Sequence, residues 1–176
     1  MAQRQGVVQV LTMPNGAEVV DVPQRDRASL DHILEESFEG WYLRHSRKTL
    51  AEAETVRAAR ISGEPIGLIM LKTLEQSAGY VFYVAVSKAH RRAGVAALLV
   101  RDALRLFRAA GLTDAFASVE QYNLPSERLF AAMGFTRTSL GEVSKKYGLL
   151  RALNMYRMMV VVPGEVLLHR TVEDVT

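Results

Sequence analysis

The chain has 176 residues, of which 49% are hydrophobic and 23% charged, and none is cysteine. This composition is ordinary for one globular domain, and the lack of cysteine excludes disulfides, thiolate metal sites and a cysteine nucleophile. The formal net charge of +3 comes without any block of five consecutive basic residues, so we expect a polyanionic small ligand and no nucleic acid.

The sequence also lacks the signals of a membrane protein or a metalloprotein. Its first residues have no signal-peptide core, and no apolar run reaches the ~18 residues that a membrane helix needs. The four histidines are not spaced as metal ligands are. We therefore expect a cytoplasmic protein with no membrane segment and no metal.

The first third of the chain predicts a hairpin and a helix. Asn15-Gly16 is a favoured hairpin pair, which predicts strands at Val7–Met13 and Ala17–Val22. Apolar residues at helical spacing predict a helix over Arg25–Phe38 that ends at Gly40.

The next stretch predicts a loop, a short helix and a strand. We predict a loop around Trp41 and a helix over Thr49–Ala58, although strand character already begins near Val56. Apolar residues between turn signals then predict a long strand over Pro65–Leu74. Trp41 either plugs the core between two helices or belongs to a functional loop.

The centre of the chain predicts a buried strand, a sharp turn and an amphipathic helix. Gly79–Val86 is uncharged and rich in β-branched and aromatic residues. From Val95 onward, apolar residues recur on one helical face until Gly111, which suits a helix C-terminus.

The turn between them, Arg91–Ala96, combines two arginines with three small residues. A helix N-terminus presents unpaired N–H groups and a positive dipole end. Small residues at Ala93, Gly94 and Ala96 let phosphates approach those groups, while the arginines add charge. The turn predicts a pyrophosphate site, the alternative being a solvated helix start.

The last third alternates strands with helical segments. A helix is predicted from Asn123 to Gly134, with proline tolerated in its first turn, and Gly141–Leu150 is predicted as a loop or short helix. The predicted strands are Asp114–Val119, Phe135–Leu140, Asn154–Val162 and an edge strand at Val166–Val172. Strands alternating with helices, with hairpins at both ends, predict a mixed sheet flanked by helices.

Two motifs carry a family resemblance. Arg91–Ala96 resembles the (Gln/Arg)-x-x-Gly-x-(Gly/Ala) signature of the GNAT superfamily of acetyl-CoA-dependent N-acyltransferases. Asn123–Phe135 resembles its second motif, Asn-x-x-(Ala/Ser)-x-x-Leu-(Tyr/Phe)-x-x-x-Gly-Phe, in the expected order and at the expected separation. The resemblance covers roughly Ala17–Val162.

The resemblance implies a single-domain α/β (α+β) fold. Its mixed sheet would have a splayed central strand pair, and the leading strand would be an added edge. We therefore expect an N-terminal extension over 1–16, the acyltransferase domain over 17–162 and a C-terminal extension over 163–176.

The resemblance implies N-acyl transfer from acetyl-CoA to an amine. Without cysteine an acyl-cysteine relay is impossible, so direct transfer in a ternary complex is favoured. The coenzyme would contact the strand end, the turn and the second motif, at Val84, Ala85, Val86, Arg91, Arg92, Ala93, Gly94, Val95, Ala96, Asn123 and Ser126. Asn123 is a helix cap, a coenzyme contact or both. The acceptor would be lined by Trp41, Tyr42 and Tyr83.

One residue departs from the family pattern. Many members carry a tyrosine at the position of Phe130, where it protonates the leaving thiolate, and phenylalanine cannot do so. The thiolate leaves unassisted, another hydroxyl substitutes, or the protein binds coenzyme with little turnover. The substitute hydroxyls we considered are Tyr122, Tyr147 and Tyr156, of which Tyr147 is our candidate acid; Glu120 is our candidate base.

Two other functions stay open at this stage. A sensor that binds acyl-CoA with weak or no turnover is motivated by Phe130. A dinucleotide-binding domain ranks last, because the chain lacks Gly-x-Gly-x-x-Gly. The sequence does not distinguish among amine acceptors, and a homodimer is compatible with it.

Overall fold

The computed structural model describes residues 16–75 and 77–172. The predicted leading strand, Val7–Met13, and most of its turn lie outside them. The described strands are β1 (Glu18–Asp21), β2 (Thr55–Ile61), β3 (Glu64–Leu74), β4 (Ala78–Val86), β5 (Asp114–Glu120), β6 (Thr136–Arg137) and β7 (Glu165–Thr171). The helices are α1 (Asp31–Ser37), α2 (Gly40–Glu52), α3 (Val95–Ala109), α4 (Leu124–Ala132), α5 (Leu140–Tyr147) and α6 (Leu149–Met159). Two 3-10 helices, Gln24–Leu30 and Lys88–His90, precede α1 and α3.

The seven strands form one mixed sheet in the order β1-β2-β3-β4-β5-β7-β6. Its neighbours are antiparallel except for β4 and β5, which are parallel. This confirms the predicted mixed sheet flanked by helices.

The sheet is covered on both faces. On one face, α3 buries Leu99, Ala103 and Phe107 against the middle strands, together with Phe130 of α4. The other face is covered by two groups of helices. The first comprises α1 and α2 over β2 to β4, and the second α5 and α6 over β4, β5 and β7. None of the helices in the described part of the chain is long and apolar enough to cross a bilayer.

The parallel pair β4–β5 separates halfway along. Its register runs from Ala78–Asp114 to Val81–Ala117 and stops there. Beyond that point β4 stays paired with β3, and β5 stays paired with β7. The β3 register skips Phe82, which makes it the extra residue of a bulge that bends β4 where it leaves β5. The predicted splayed pair is confirmed.

Two predictions near Trp41 were wrong. Gly40 does not end a helix but begins α2, so Trp41, Tyr42 and His45 lie on a helix and not in a loop. The helix predicted over Thr49–Ala58 is the last turn of α2 followed by β2. After Glu52 the chain forms a strand and not the predicted helix, because β2 pairs along its whole length with β3.

Two strand predictions in the last third also needed correction. The strand predicted over Asn154–Val162 is α6, because Ala152, Met155 and Met159 bury one face at helical spacing. The strand predicted over Phe135–Leu140 is limited to β6, because Ser139 and Glu142 form a reciprocal cap that starts α5.

The predicted edge strand Val166–Val172 is β7, an inner strand between β5 and β6. β7 lies in the C-terminal extension expected over 163–176 and pairs with all of β5.

Candidate functional site

The open edge of β4 carries backbone groups that neither β3 nor β5 pairs with. Ser87 N donates to the carbonyl oxygen of Ile66 across 3.0 Å, so Ser87 faces β3. Hydrogen-bonding direction alternates along an antiparallel strand. The N–H and C=O groups of Val84 and Val86 therefore point away from β3, into the gap opposite β5, and those of Ala85 point to β3.

The turn after β4 ends at a helix N-terminus. Gly94 caps α3 with φ 81°, a conformation that costs other residues free energy. The first helical bond runs from Leu98 N to Gly94 O at 3.0 Å, so the N–H groups of Val95, Ala96 and Ala97 have no acceptor within the helix. The Val95 side chain is buried in the core, which leaves its backbone alone available to a ligand.

The two arginines of this turn have different surroundings. Arg91 Nε donates to Val86 O at 3.0 Å, and its Nη2 donates to Glu36 O at 2.7 Å. Arg91 therefore ties the end of β4 to the end of α1. Arg92 is exposed, has a left-handed φ of 62°, and makes no side-chain hydrogen bond with any residue that the structure describes.

The second motif begins at the end of β5. Asn123 Oδ1 accepts a hydrogen bond from Ser126 N at 3.2 Å, which makes Asn123 the cap of α4. The turn before it is anchored by Gln121 N, which donates to Gly164 O at 2.7 Å. Both Asn123 and Ser126 thus lie at the carboxyl end of β5, beside the gap.

An aromatic cluster lies on the sheet face opposite α3, where the gap opens. The hydroxyl of Tyr83 lies 2.7 Å from Nδ1 of His45. The imidazole stacks on Trp41 with centroids 4.8 Å apart and planes 9° apart, and Phe38 packs edge-on against Tyr83. Burial raises the pKa of the Tyr83 hydroxyl. Burial, with Lys48, lowers the pKa of His45, so at neutral pH both rings are uncharged.

Two carboxylates complete this cluster. Glu165 begins β7 and pairs in register with Glu120 at the end of β5, so both side chains share one face. Tyr42 donates to Glu165 Oε1 at 3.3 Å. Burial raises the pKa of Tyr42 to about 12, with Glu165 and Glu120 adding to the shift. Glu120 is exposed and Glu165 half-buried.

The structure brings neither the candidate acid Tyr147 nor the Phe130 position to this place. Tyr147 donates to Asp114, at the far end of β5 from Glu120. Phe130 is 4% exposed and packs edge-on against Phe135 in the core under α3. Of the other candidate hydroxyls, Tyr122 is 81% exposed beside Asn123, and Tyr156 lies on α6.

His45 and Glu165 were not predicted from the sequence to belong to the site. A helix over Gly40–Glu52 would have placed Trp41 and His45 one turn apart on the same face, and that signal was present but assigned to a loop. Glu165 has no local signal, because its position depends on β7 pairing with β5. No group of three metal-binding side chains occurs within 16–75 and 77–172.

Comparison with known proteins gives one family and many similar folds. The sequence profile of the Acetyltransferase (GNAT) family matches residues 21–135, and no curated protein matches the chain. The GNAT domain of S. lividans PAT has a TM-score of 0.68 at 18% identity, covering 93% of this chain and 96% of that one. The ribosomal-protein-S18-alanine N-acetyltransferase from Escherichia coli has a TM-score of 0.67 at 11% identity, covering 91% of this chain and 99% of that one. PaiA N-acetyltransferase from Thermoplasma acidophilum, solved with coenzyme A, has a TM-score of 0.67 at 12% identity. The match covers 89% of this chain and 99% of that one.

Proposed function

Since this chain belongs to the Acetyltransferase (GNAT) family, we propose that it transfers an acetyl or other short acyl group from coenzyme A to an amine. The observation that carries this proposal is the junction of two features. The open edge of β4, with the backbone of Val84 and Val86 unpaired by β5, leads within a few residues to the N-terminus of α3. An extended thioester arm and a diphosphate fit these two features in that order.

The diphosphate binds at the turn. The unpaired N–H groups of Val95 and Ala96 donate to its oxygens, together with the positive end of the α3 dipole. Ala93 and Gly94 keep the approach free of side chains, and the free Arg92 guanidinium adds a charge-assisted contact. Arg91, already bonded to Val86 and Glu36, holds the turn in place.

The pantetheine arm binds along β4 as an added strand. Its amides pair with the gap-facing groups of Val84 and Val86, while Ala85 keeps that part of β4 paired with β3. One of these N–H groups donates to the thioester oxygen, where negative charge develops during attack. Asn123 and Ser126 contact the arm from the β5 side, in addition to the capping bond between them.

The amine enters from the aromatic cluster. Trp41, Tyr42 and Tyr83 line its path, and Glu120 at the end of β5 takes the proton that an ammonium must lose before it attacks. Because the chain contains no cysteine, the acyl group passes directly to the nitrogen in a ternary complex. Coenzyme A in the PaiA structure, and in the Mycobacterium tuberculosis Rv2747 structure with NLQ, supports the coenzyme assignment.

The test compares two glycines at the two ends of α3. Gly94 has φ 81° and Gly111 has φ 73°, so a glutamate is similarly strained at either position. We expect Gly94→Glu to abolish acetyl-CoA binding measured by calorimetry, and Gly111→Glu to keep the wild-type Kd. Equal affinities of the two variants would refute the diphosphate site.

A second candidate function is an acyl-CoA sensor with little turnover. The buried, apolar Phe130 favours it, because the family's usual proton donor is missing there. Tight acetyl-CoA binding without amine-dependent thiol release would support the sensor and contradict the transferase.

A further inference from the structure

The paired side chains of Tyr83 and His45 are not accounted for by coenzyme binding. Tyr83 is the second residue of β4 beyond its last pair with β5, so it lies where the gap begins. The neighbouring Val84 directs its N–H into that gap. A thioester carbonyl that accepts a hydrogen bond from the Val84 N–H lies next to Tyr83, the preceding residue of β4.

Each ring of the pair is held by a second aromatic ring. Trp41 stacks on the imidazole, and Phe38 packs against the phenol. The hydroxyl and Nδ1 are 2.7 Å apart, a good hydrogen-bond distance. A tyrosine with only a structural role does not need a partner that exchanges protons near neutral pH. Histidine is a partner that can exchange them.

We propose that Tyr83 and His45 carry the proton from the attacking nitrogen to the leaving sulfur, and so supply the acid that Phe130 lacks. This inference rests on the acyl transfer proposed above. Tyr83 contacts the reacting atoms and is the catalytic residue. His45 acts through Tyr83 and is the positioning residue.

The step balances as follows. The neutral amine forms a C–N bond to the thioester carbon, and the carbonyl electron pair moves onto oxygen. The nitrogen loses one proton to the Tyr83 oxygen while the Tyr83 proton moves to His45 Nδ1. The electron pair on oxygen then re-forms the C=O bond as the C–S bond breaks with its electron pair on sulfur, and the proton returns through Tyr83 to give the thiol.

The charged groups around the pair suit this exchange. Burial and Lys48, which lies on the same helix, lower the pKa of His45, whereas Glu165 and Glu52 raise it. Glu165 and Tyr42 face Tyr83 and help to keep its hydroxyl protonated. His45 is therefore neutral and ready to accept a proton near pH 7.

The experiment uses hydroxylamine as a small amine that needs no dedicated acceptor pocket. Acetyl-CoA is mixed with the full chain, and thiol release is followed with a disulfide reagent; the chain has no cysteine to interfere. Rates are corrected for the uncatalysed reaction and divided by the concentration of neutral hydroxylamine. We expect Tyr83→Phe to lower the rate about 100-fold with an unchanged Kd for acetyl-CoA.

His45→Gln keeps an acceptor for the Tyr83 hydroxyl but cannot take up its proton. We expect it to slow the reaction about 10-fold and to remove the fall in rate that protonation of His45 causes in the wild type, at a pH below the usual histidine range because burial lowers its pKa. The double variant is expected to be no slower than Tyr83→Phe alone. His32→Gln, which changes an exposed side chain, is expected to keep the wild-type rate.

The outcomes separate this inference from the proposed function. A Tyr83→Phe variant as fast as an active wild type would overturn the relay and leave the transferase standing. Independent, multiplying effects of the two substitutions would also overturn it. A wild type that binds acetyl-CoA but does not exceed the uncatalysed rate would overturn the transferase and the relay together.

Discussion

Arg91 Nε donates a hydrogen bond to the carbonyl oxygen of Val86 across 3.0 Å. Val86 directs that oxygen into the gap, so the turn before α3 is attached to the strand edge that we assign to the pantetheine arm. The same guanidinium reaches Glu36 O and Ser37 Oγ at the end of α1. Arg91 thus links the edge of β4 to the end of α1.

This contact predicts different effects for the two neighbouring arginines. Arg91→Ala removes hydrogen bonds within the protein, so we expect the free energy of unfolding to fall by about 1 kcal/mol and the coenzyme affinity to fall with it. Arg92→Ala removes only a solvated charge, so the unfolding free energy stays the same and the Kd for coenzyme A rises about tenfold. Urea unfolding and calorimetry measure the two quantities.

Ionic strength provides the control for this comparison. The contribution of Arg92 is a contact between exposed charges, so the difference in Kd between wild type and Arg92→Ala is expected to shrink as salt increases. Equal destabilisation by the two substitutions would contradict the roles assigned to them.

The packing of α3 against β4 predicts a strong effect at Gly79. A Cβ atom at this position would overlap the ring of Phe107, and a packed core does not absorb an added methyl easily. We expect Gly79→Ala to lower the free energy of unfolding by about 3 kcal/mol, measured by urea denaturation.

A double-mutant cycle tests the cause. Phe107→Leu shortens the obstructing side chain, so adding Gly79→Ala to it is expected to cost clearly less than adding Gly79→Ala to the wild type. Strictly additive effects would mean that the ring of Phe107 is not what excludes the methyl group.

The strand and the helix that form the proposed coenzyme half of the site were predictable because they are local in sequence. The segment Gly79–Gly111 contains its own signals: an uncharged β-branched strand, a small-residue turn and an amphipathic helix. The structure places β4 and α3 within one or two residues of those predictions. The splay itself followed only from the family resemblance, since strand separation leaves no composition signal.

The acceptor half was not predictable in the same way. His45, Tyr83 and Glu165 come from α2, β4 and β7, and only the sheet order brings them together. The error at Asn154–Val162 has a related origin. Its methionines and valines suit either structure, and the burial of Met155 and Met159 against β5 and β7 decides for the helix.

Asp114 predicts how stability depends on acid. Its carboxylate is buried, which by itself would raise its pKa. Hydrogen bonds from His169 at 2.5 Å, Lys146 at 2.7 Å, Tyr147 and Thr113 outweigh this and hold the pKa well below the usual range. Above about pH 3.9, the pKa of an unfolded aspartate, the network contributes fully. As the pH falls below that value the unfolded state takes up the proton first, so stability is lost.

The matching substitution is Asp114→Asn. We expect it to lower the free energy of unfolding at pH 7 by about 3 kcal/mol, because a neutral amide replaces the buried charge that His169 and Lys146 contact, and to flatten the stability loss below pH 4. Asp26→Asn, at an exposed aspartate, is expected to change neither. Unfolding in urea at a series of pH values measures both, and an unaltered acid limb in Asp114→Asn would assign that limb to other groups.

Phe130→Tyr returns the hydroxyl that the family pattern has at this position. Phe130 is 4% exposed and its ring meets Phe135 at a centroid distance of 5.1 Å. A hydroxyl buried there without a partner is expected to cost about 1–3 kcal/mol of stability. If Tyr83 already delivers the proton to sulfur, the rate of thiol release from acetyl-CoA does not increase.

The same substitution in the Tyr83→Phe background tests this further. We expect Phe130→Tyr not to restore the rate there, because the ring faces the core under α3. Recovery of the wild-type rate would show that a hydroxyl at position 130 reaches the thiolate.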